Sequence, residues 1–261
     1  MSLVISKVFT YDTDAGNYIQ AVEGPAGDNQ ALEPAVRQAI NNFVVGCKQD
    51  GIWNAIKASC ILAGARTLNG ALVPLVGTAP TRFGTAGNWN YNRKTGLQGD
   101  GSTNYLNSNR FSNSDPQNNV HISVYVSSAP VASINGLIGD DDNPGNLQII
   151  QLPTAIQFKS RDGGANQPSS ALASLSGFTG LSRSLATSYN FRARGGVVSG
   201  TFASNSGTPS LASITVFQRG TTQPFATNAR LAFYSIGESL DLAKLDSRVT
   251  DLINAFGAAI P

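Results

Sequence analysis

Few residues in this chain are equipped for covalent chemistry. Glycoside hydrolysis needs two carboxyl groups facing a sugar cleft, about 5–10 Å apart. The chain has three glutamates, Glu23, Glu33 and Glu238, and no Glu-x-Asp-x-x-Glu pattern that would turn alternate carboxylates toward one cleft. Asp140, Asp141 and Asp142 are consecutive and run into Asn143-Pro144-Gly145. Adjacent like charges of this kind suit water or a hard cation rather than an acid/base pair. Two readings follow for that loop: a Ca²⁺ site at Asp140, Asp142 and Asn143, or a plain solvated turn. Any Ser–His arrangement must use His121, the single histidine. It sits beside Ile122 and Val124 in a strand pattern with only Asp115 upstream, so a structural role is expected. Gly99-Asp100-Gly101-Ser102 lacks the lysine of a phosphate loop. The expectation is a protein without catalytic residues and without a cofactor.

Binding chemistry is better supplied. Trp89, Tyr91 and Tyr105 alternate with Asn88, Asn90 and Asn92 around a Gly/Asn-rich stretch. Exposed rings flanked by amides suit a carbohydrate; the other reading is that these rings cover a seam between helices and strands. Nucleic acid is not expected, because the net charge is +2 and no Lys/Arg run exceeds two residues. Arg93-Lys94 and the strand-spaced Arg192 and Arg194 are the nearest basic features. Cys47 and Cys60, thirteen residues apart, each fall on an apolar helical side. They fit free buried thiols or a helix-to-helix disulfide, and no metal site with the distant histidine.

These residues need positioning elements, and the pattern supplies them. Charged residues are 13% of the chain, with Gly, Ser, Thr and Asn in their place. Leu3, Ile5 and Val8 alternate as a strand candidate, Tyr18 to Val22 is a second, and residues 1–30 read as an anchoring arm. Val36, Ile40, Phe43, Val44 and Cys47 recur at helical spacing after Pro34. Ile52, Trp53, Ile56 and Cys60 suggest a second helix, so 31–81 reads as a helical hairpin with a linker. Leu72 to Val76 could join a sheet edge. From residue 82 to 237, short strands arrive at regular intervals: 103–106, 121–127, 135–138, 147–152, 156–160, 189–193, 197–203, 213–218 and 230–235. That spacing argues for a mainly β protein, a β-sandwich or jelly roll. Its interior would hold Ile122, Val124, Val126, Leu137, Ile149, Phe158, Phe191, Phe202, Ile214, Val216, Leu231 and Phe233. Residues 238–261 form a C-terminal amphipathic helix through Leu242, Leu245, Val249, Leu252 and Phe256, with Ser239 as its expected N-cap.

The stretch LAFYSIGESLDLAKL at 231–245 is similar to the end of laminin-G-like, concanavalin A-like lectin domains. DGIWNAIKASCILAGARTLNGALVPLVGTAPT at 50–81, with YNRKTGLQGDGSTNYLNSNR at 91–110, resembles a group of bacteriophage virion proteins of tail-fibre, head-fibre or minor structural type. The resemblance implies a concanavalin A-like jelly roll coupled to a helical hairpin. It also implies a non-enzymatic structural role in a phage particle, with other virion proteins and a homo-oligomer, a trimer if fibre-like, as partners. Host-surface glycan would bind through the sandwich. A free lectin-like carbohydrate-binding module and a polysaccharide-degrading enzyme are the alternatives, the latter testable at Asp100 or Asp142. No secretory signal and no apolar run of membrane-spanning length occur, so synthesis in the host cytoplasm and residence in the virion are expected.

Overall fold

The computed structural model describes residues 10–131, 133–142, 145–162, 169–171, 175–222 and 224–261. The strand candidate at Leu3, Ile5 and Val8 lies outside them. The first strands in chain order are β1 (Ile56–Ile61), β2 (Thr81–Phe83), β3 (Asn90–Asn92), β4 (Gly96–Gln98), β5 (Tyr105–Phe111), β6 (Val120–Ser128), β7 (Asn135–Gly139) and β8 (Leu147–Gln151). They are followed by β9 (Ala155–Ser160), β10 (Ser169–Ala171), β11 (Gly177–Arg183), β12 (Ser188–Ala193), β13 (Val198–Ala203), β14 (Ser213–Val216) and β15 (Arg230–Gly237). The helices are α1 (Thr13–Glu23), α2 (Pro34–Gln49), the single turn α3 (Leu68–Ala71) and α4 (Leu242–Ala259).

Two antiparallel sheets face each other. Sheet A has the order β13-β12-β11-β6-β15-β4-β3, with β1 also paired to β15; sheet B has the order β10-β9-β8-β7-β14-β5-β2. Alternate residues of their strands meet between the layers, where Leu106, Ile122, Val124, Val126, Leu137, Ile149, Phe158, Ile214, Val216, Leu231 and Ile236 are buried. The chain is therefore a mainly β, two-sheet sandwich with helices at its ends, as the strand spacing predicts. Phe191 and Phe202 only line the rim of this core, half-buried. Phe233 is fully buried, but on the other face of sheet A.

That other face carries a third layer. Ala15, Tyr18, Ile19 and Val22 put an apolar stripe on α1, and Asp12 caps it by accepting from Asp14 N. Helical spacing wins here over the strand expected at Tyr18–Val22. Ion pairs at both ends fix α1 antiparallel to α2: Arg37–Glu23 at 2.6 Å, and Lys48 to Asp12 at 2.7 Å and to Asp14 at 2.6 Å. The helical hairpin is thus α1 with α2. The expected second helix at 52–60 is instead a single 3-10 turn, Trp53–Ala55, leading into β1. β1 is buried on both faces, so its apolar residues follow neither period cleanly, and pairing with β15 decides. Residues 56–61 consequently pair within the sandwich, and β2 starts at Thr81, one residue before the expected sandwich boundary. The Leu72–Val76 candidate makes only a bridge from Val76 to Ser59.

α4 crosses α2 on the same face. Gly46 permits the close approach, since a Cβ there would stand 2.7 Å from the Arg248 side chain, and Arg248 pairs with Asp50 at the end of α2 at 2.7 Å. Gly64, with φ +86°, leaves room for the Phe256 ring, 2.7 Å from where a Cβ would sit. Phe43 of α2 meets Phe233 edge-on at 5.7 Å. The N-cap of α4 is Asp241, accepting from Ala243 N and Lys244 N, whereas Ser239 bonds to Asn119.

Candidate binding surface

The turn at Gly99-Asp100-Gly101 organises one rim of the sandwich. Asp100 Oδ1 accepts from the backbone N–H of Ser102 (2.9 Å), Thr103 (2.8 Å) and Asn104 (2.9 Å), and Thr103 Oγ1 donates to Oδ2 at 2.8 Å. Asn88 Nδ2 adds a bond at 3.3 Å. Burial would raise its pKa, but the donors Asn104, Ser102 and Thr103 outweigh it and hold the carboxyl well below the usual carboxylate range. Asp100 is a loop staple with its oxygens occupied, not an acid or base.

The loop delivers the chain into β5, which pairs with β2 in the register Thr81–Asn107 and Phe83–Tyr105. Directly opposed residues share a face, so the two rings meet; they stack at 4.7 Å with planes 3° apart. Phe83 remains 40% exposed. Buried Asn104 donates to Thr85 O at 3.3 Å and fixes the turn after Phe83. Asn107, Thr81 and Asn109 continue the polar strip, with Asn109 Nδ2 donating to Ala79 O at 2.8 Å and Thr81 Oγ1 at 3.0 Å. Phe83 escaped the sequence reading because Pro80 and Gly84 bracket a segment too short to show a period.

Of the three expected sugar-binding aromatics, Tyr105 is half-buried and stacks on the exposed Phe83 ring. Trp89 is buried against Phe217, ring centroids 5.2 Å apart. Tyr91 is half-buried and donates its hydroxyl to Ala65 O at 2.6 Å, tying sheet A to the segment before α3. Trp89 belongs to the core between the two sheets, and only Tyr91 packs at the junction with the helical layer.

The aspartate loop is also closed inward. Asp140 is fully buried; its Oδ2 accepts from Leu147 N at 3.0 Å and its Oδ1 from Asp142 N at 3.3 Å. Burial pushes its carboxyl up to about 6, against the lowering effect of the Leu147 N–H. Asp142 accepts from Ser210 Oγ at 3.3 Å, and Asn143 lies outside the described residues. Asp140 thus staples the loop to β8. Among the described residues no three His, Cys, Asp or Glu side chains gather as a metal site would require.

His121 is fully buried between sheet A and the start of α4. Nδ1 lies 2.5 Å from Glu238 O and Nε2 2.6 Å from Ser235 Oγ. The geometry fixes the neutral tautomer: Nδ1–H donates to the carbonyl and Nε2 accepts from the hydroxyl. Burial lowers its pKa to about 4. Ser235 and Ser123, 3.3 Å apart, are buried with it, so this Ser–His contact has no access for a substrate. Cys47 and Cys60 are free and buried, and burial pushes both thiols up to about 12. Arg192 is taken by Asp246 of α4 at 2.7 Å and is unavailable to a polyanion.

A further concavity lies elsewhere, on the helical layer. It is a groove of about 750 Å³ between the C-terminal half of α1 and the Leu72–Pro80 segment, lined by Asn17, Gln20, Ala21, Val73, Pro74 and Pro80. It holds no ionisable side chain and no aromatic ring.

No family model matches this sequence, and comparison with curated proteins finds no match either. Solved structures do share the fold. The binding domain of botulinum neurotoxin DC, in complex with rat synaptotagmin II, superposes with a TM-score of 0.53 at 12% identity, over 78% of this chain and 52% of that one. The binding domain of botulinum neurotoxin serotype G gives 0.51 at 13% identity, over 74% of this chain and 50% of that one. The chain spans about half the length of those domains. Together the topology and these neighbours define a two-sheet antiparallel β-sandwich. At such identity the likeness is one of fold.

Proposed function

We propose that this chain is a non-enzymatic binding module of a bacteriophage particle, with the helical layer as its mount and the β2–β5 rim as the surface that meets host glycan. One observation carries the reading: the exposed Phe83 ring, stacked on half-buried Tyr105, beside a strip of Asn and Thr side chains. A ring face takes the C–H side of a sugar while the amides and hydroxyls take its hydroxyls, the usual mix of apolar contact and few placed polar groups. The neurotoxin binding domains built on the same sandwich support a binding role. The resemblance at 50–81 and 91–110 supports the virion setting and a homo-oligomer among other virion proteins. Asp140 and His121, whose pKa values are moved furthest toward each other by burial, are both buried and occupied in structural bonds, and this supports a non-catalytic role.

A glycan array probed with the purified chain, followed by calorimetric titration of any hit, tests the rim. Phe83→Ala and Tyr105→Ala should each weaken binding about tenfold or more, roughly 1.4 kcal/mol, without lowering the melting temperature much. An array with no hit, or a double variant that binds as tightly as the parent, overturns it. Immunogold microscopy with antibody to the chain tests the setting. Label on phage particles supports it, and label confined to the medium favours the free lectin-like module.

A further inference from the structure

Sheet B does not present a uniform outer face. Toward β7 it is closed: Thr215 of β14 is buried, and its hydroxyl donates to Gly139 O at 3.1 Å. Toward β2 the face opens, and its exposed apolar side chains are rings. One is Phe83; the other is Phe111, 53% exposed, at the last residue of β5.

Register puts these rings on one face. Ile214 and Val216 of β14 point into the core, so Ser213 and Thr215 point outward. Thr215 opposes Asn107, and Asn107 opposes Thr81 of β2; two residues back along β5, Tyr105 opposes Phe83. At the other end Ser213 opposes Phe111. Directly opposed residues share a face, so Phe83, Tyr105, Thr81, Asn107 and Phe111 all look outward. Between Asn107 and Phe111 the strand bulges, with three residues of β5 against one of β14. Asn109 takes a φ of +56° there, and buried Ser108 donates to Ile214 O at 2.6 Å. The bulge absorbs an even number of residues and so returns Phe111 to the face that Asn107 occupies. The Phe83–Tyr105 row and the Phe111 row are four residue steps apart, two along β5 from Tyr105 to Asn107 and two along β14 from Thr215 to Ser213. That is about 13 Å at about 3.3 Å per step, wider than a single pyranose ring. Asn107 lies between the rows. Its Oδ1 accepts from Asn109 N at 2.8 Å, and among the described residues its Nδ2 has no protein acceptor.

We propose that the rim continues along β5 to Phe111 and takes a linear polysaccharide along its length, rather than the single end sugar of a branched glycan. The proposal rests on the glycan reading of the rim and narrows its ligand class. Rings at both ends with an amide and a hydroxyl between them match a ligand whose sugar faces are apolar and whose ring edges carry hydroxyls. A hydrophobic peptide or an amphipathic helix needs a continuous apolar strip, and would cover the Asn107 amide without offering it an acceptor. None of the five outward side chains is charged, so the contact asks for no charge on the sugar. A second ring about 13 Å from the first contributes nothing to a single sugar and gains a contact only as the chain lengthens.

Size ladders, disaccharide to hexasaccharide, of chitin, cellulose, dextran and bacterial surface polysaccharide, titrated calorimetrically into the full chain, test this. Within a ladder that binds, affinity should rise about tenfold or more from the disaccharide to the hexasaccharide. Phe111→Ala should abolish that rise and leave the disaccharide affinity as it was, with an unchanged melting curve because the ring is exposed. Phe111→Tyr should keep the rise, and Phe83→Ala should weaken every member of the ladder. Affinity that is flat with chain length, a rise that survives Phe111→Ala, or a Phe111→Ala variant that loses the disaccharide as well overturns the extended site while the Phe83 rim stands. Ladders that all fail to bind overturn the glycan reading itself, and this inference with it.

Discussion

Part of the outer face of each sheet is closed, but by opposite means. On sheet A, α2 and α4 lay Phe43, Leu245, Val249 and Phe256 onto Phe178, Ala232 and Phe233, and ion pairs at the margins hold the helices in place. On sheet B the covering layer includes the segment after β14. Gly136 N donates to Phe225 O at 2.5 Å, Arg219 Nη1 donates to Gln148 Oε1 at 2.6 Å, and the Arg219 guanidinium lies 4.6 Å above the Phe225 ring. Gln148 and Lys159 are buried there, 2% and 5% exposed. The difference is one of tolerance. Apolar closure scales with area and survives small shifts, whereas polar closure works only while every donor meets its acceptor.

The helical closure should fail most steeply on truncation. Phe43→Ala removes a fully enclosed ring from the α2–sheet A contact and should cost about 3–5 kcal/mol in urea unfolding. A loss below about 1 kcal/mol would mean that the helical layer closes over the gap, and that its packing is looser than the geometry implies.

Acid should act on both closures, with opposite signs. His121 has an ordinary pKa of 6.5 and a folded value of about 4. Between these values the unfolded chain holds the extra proton, so stability falls as pH drops through the window, by up to about 3 kcal/mol. Asp140 runs from an ordinary 3.8 up to about 6. There the folded chain holds the extra proton, so acidification from pH 6 to 4 adds stability and offsets the histidine. The parent should therefore show a shallow pH profile of its unfolding midpoint. Asp140→Asn should steepen the acid loss, and His121→Gln should reverse it. Identical slopes in all three proteins would show that neither group's burial governs acid stability.

The buried arginines mark what polar closure demands elsewhere in the sandwich. Arg183 is fully buried, with Nε donating to Ser160 O at 2.9 Å and Nη1 to Leu185 O at 3.1 Å and Ser204 O at 3.0 Å, above the Tyr189 ring. Arg161, also buried, donates to Pro116 O and Ser112 O. Arg183→Met keeps much of the volume but strands several carbonyls, and should cost about 2–3 kcal/mol. The same change at exposed Arg82 should stay within about 0.5 kcal/mol. Equal effects would remove the distinction between the two arginines.

Legibility in the sequence follows the same divide. Strands with one apolar and one polar face, such as β6 and β9, announce themselves by alternation. β11 does not, because Gly177, Thr179 and Gly180 interrupt its apolar residues while both of its faces are covered. β1 fails for the related reason that burial on two faces erases the period. At the rim, Tyr105 is legible as part of a strand, but Phe83 gains its role only through pairing with residues more than twenty positions away. Trp89 and Tyr105 look alike in sequence, and only the third dimension decides which ring is inside. Buried Arg161 and Arg183 give no signal at all, since their acceptors are backbone carbonyls that every residue possesses.

The smallest expected effect bears on how the helical layer begins. Sequence spacing favours Ser239 as the cap of α4, yet the Asp241 carboxylate accepts from Ala243 N at 2.9 Å and Lys244 N at 3.2 Å. Asp241→Ala should cost about 1 kcal/mol, because it frees two N–H groups at the positive end of the helix and removes a charge that complements its dipole. Asp241→Asn keeps an acceptor and should recover most of that loss. Ser239 is bound instead to Asn119 at 2.6 Å, in the loop before β6. Ser239→Ala should therefore disturb the docking of α4 onto sheet A, seen as faster amide exchange at its first turn and at Asn119 together. If only the helix turn responds, Ser239 acts as a cap after all, and the junction between apolar layer and sheet is set by the helix alone.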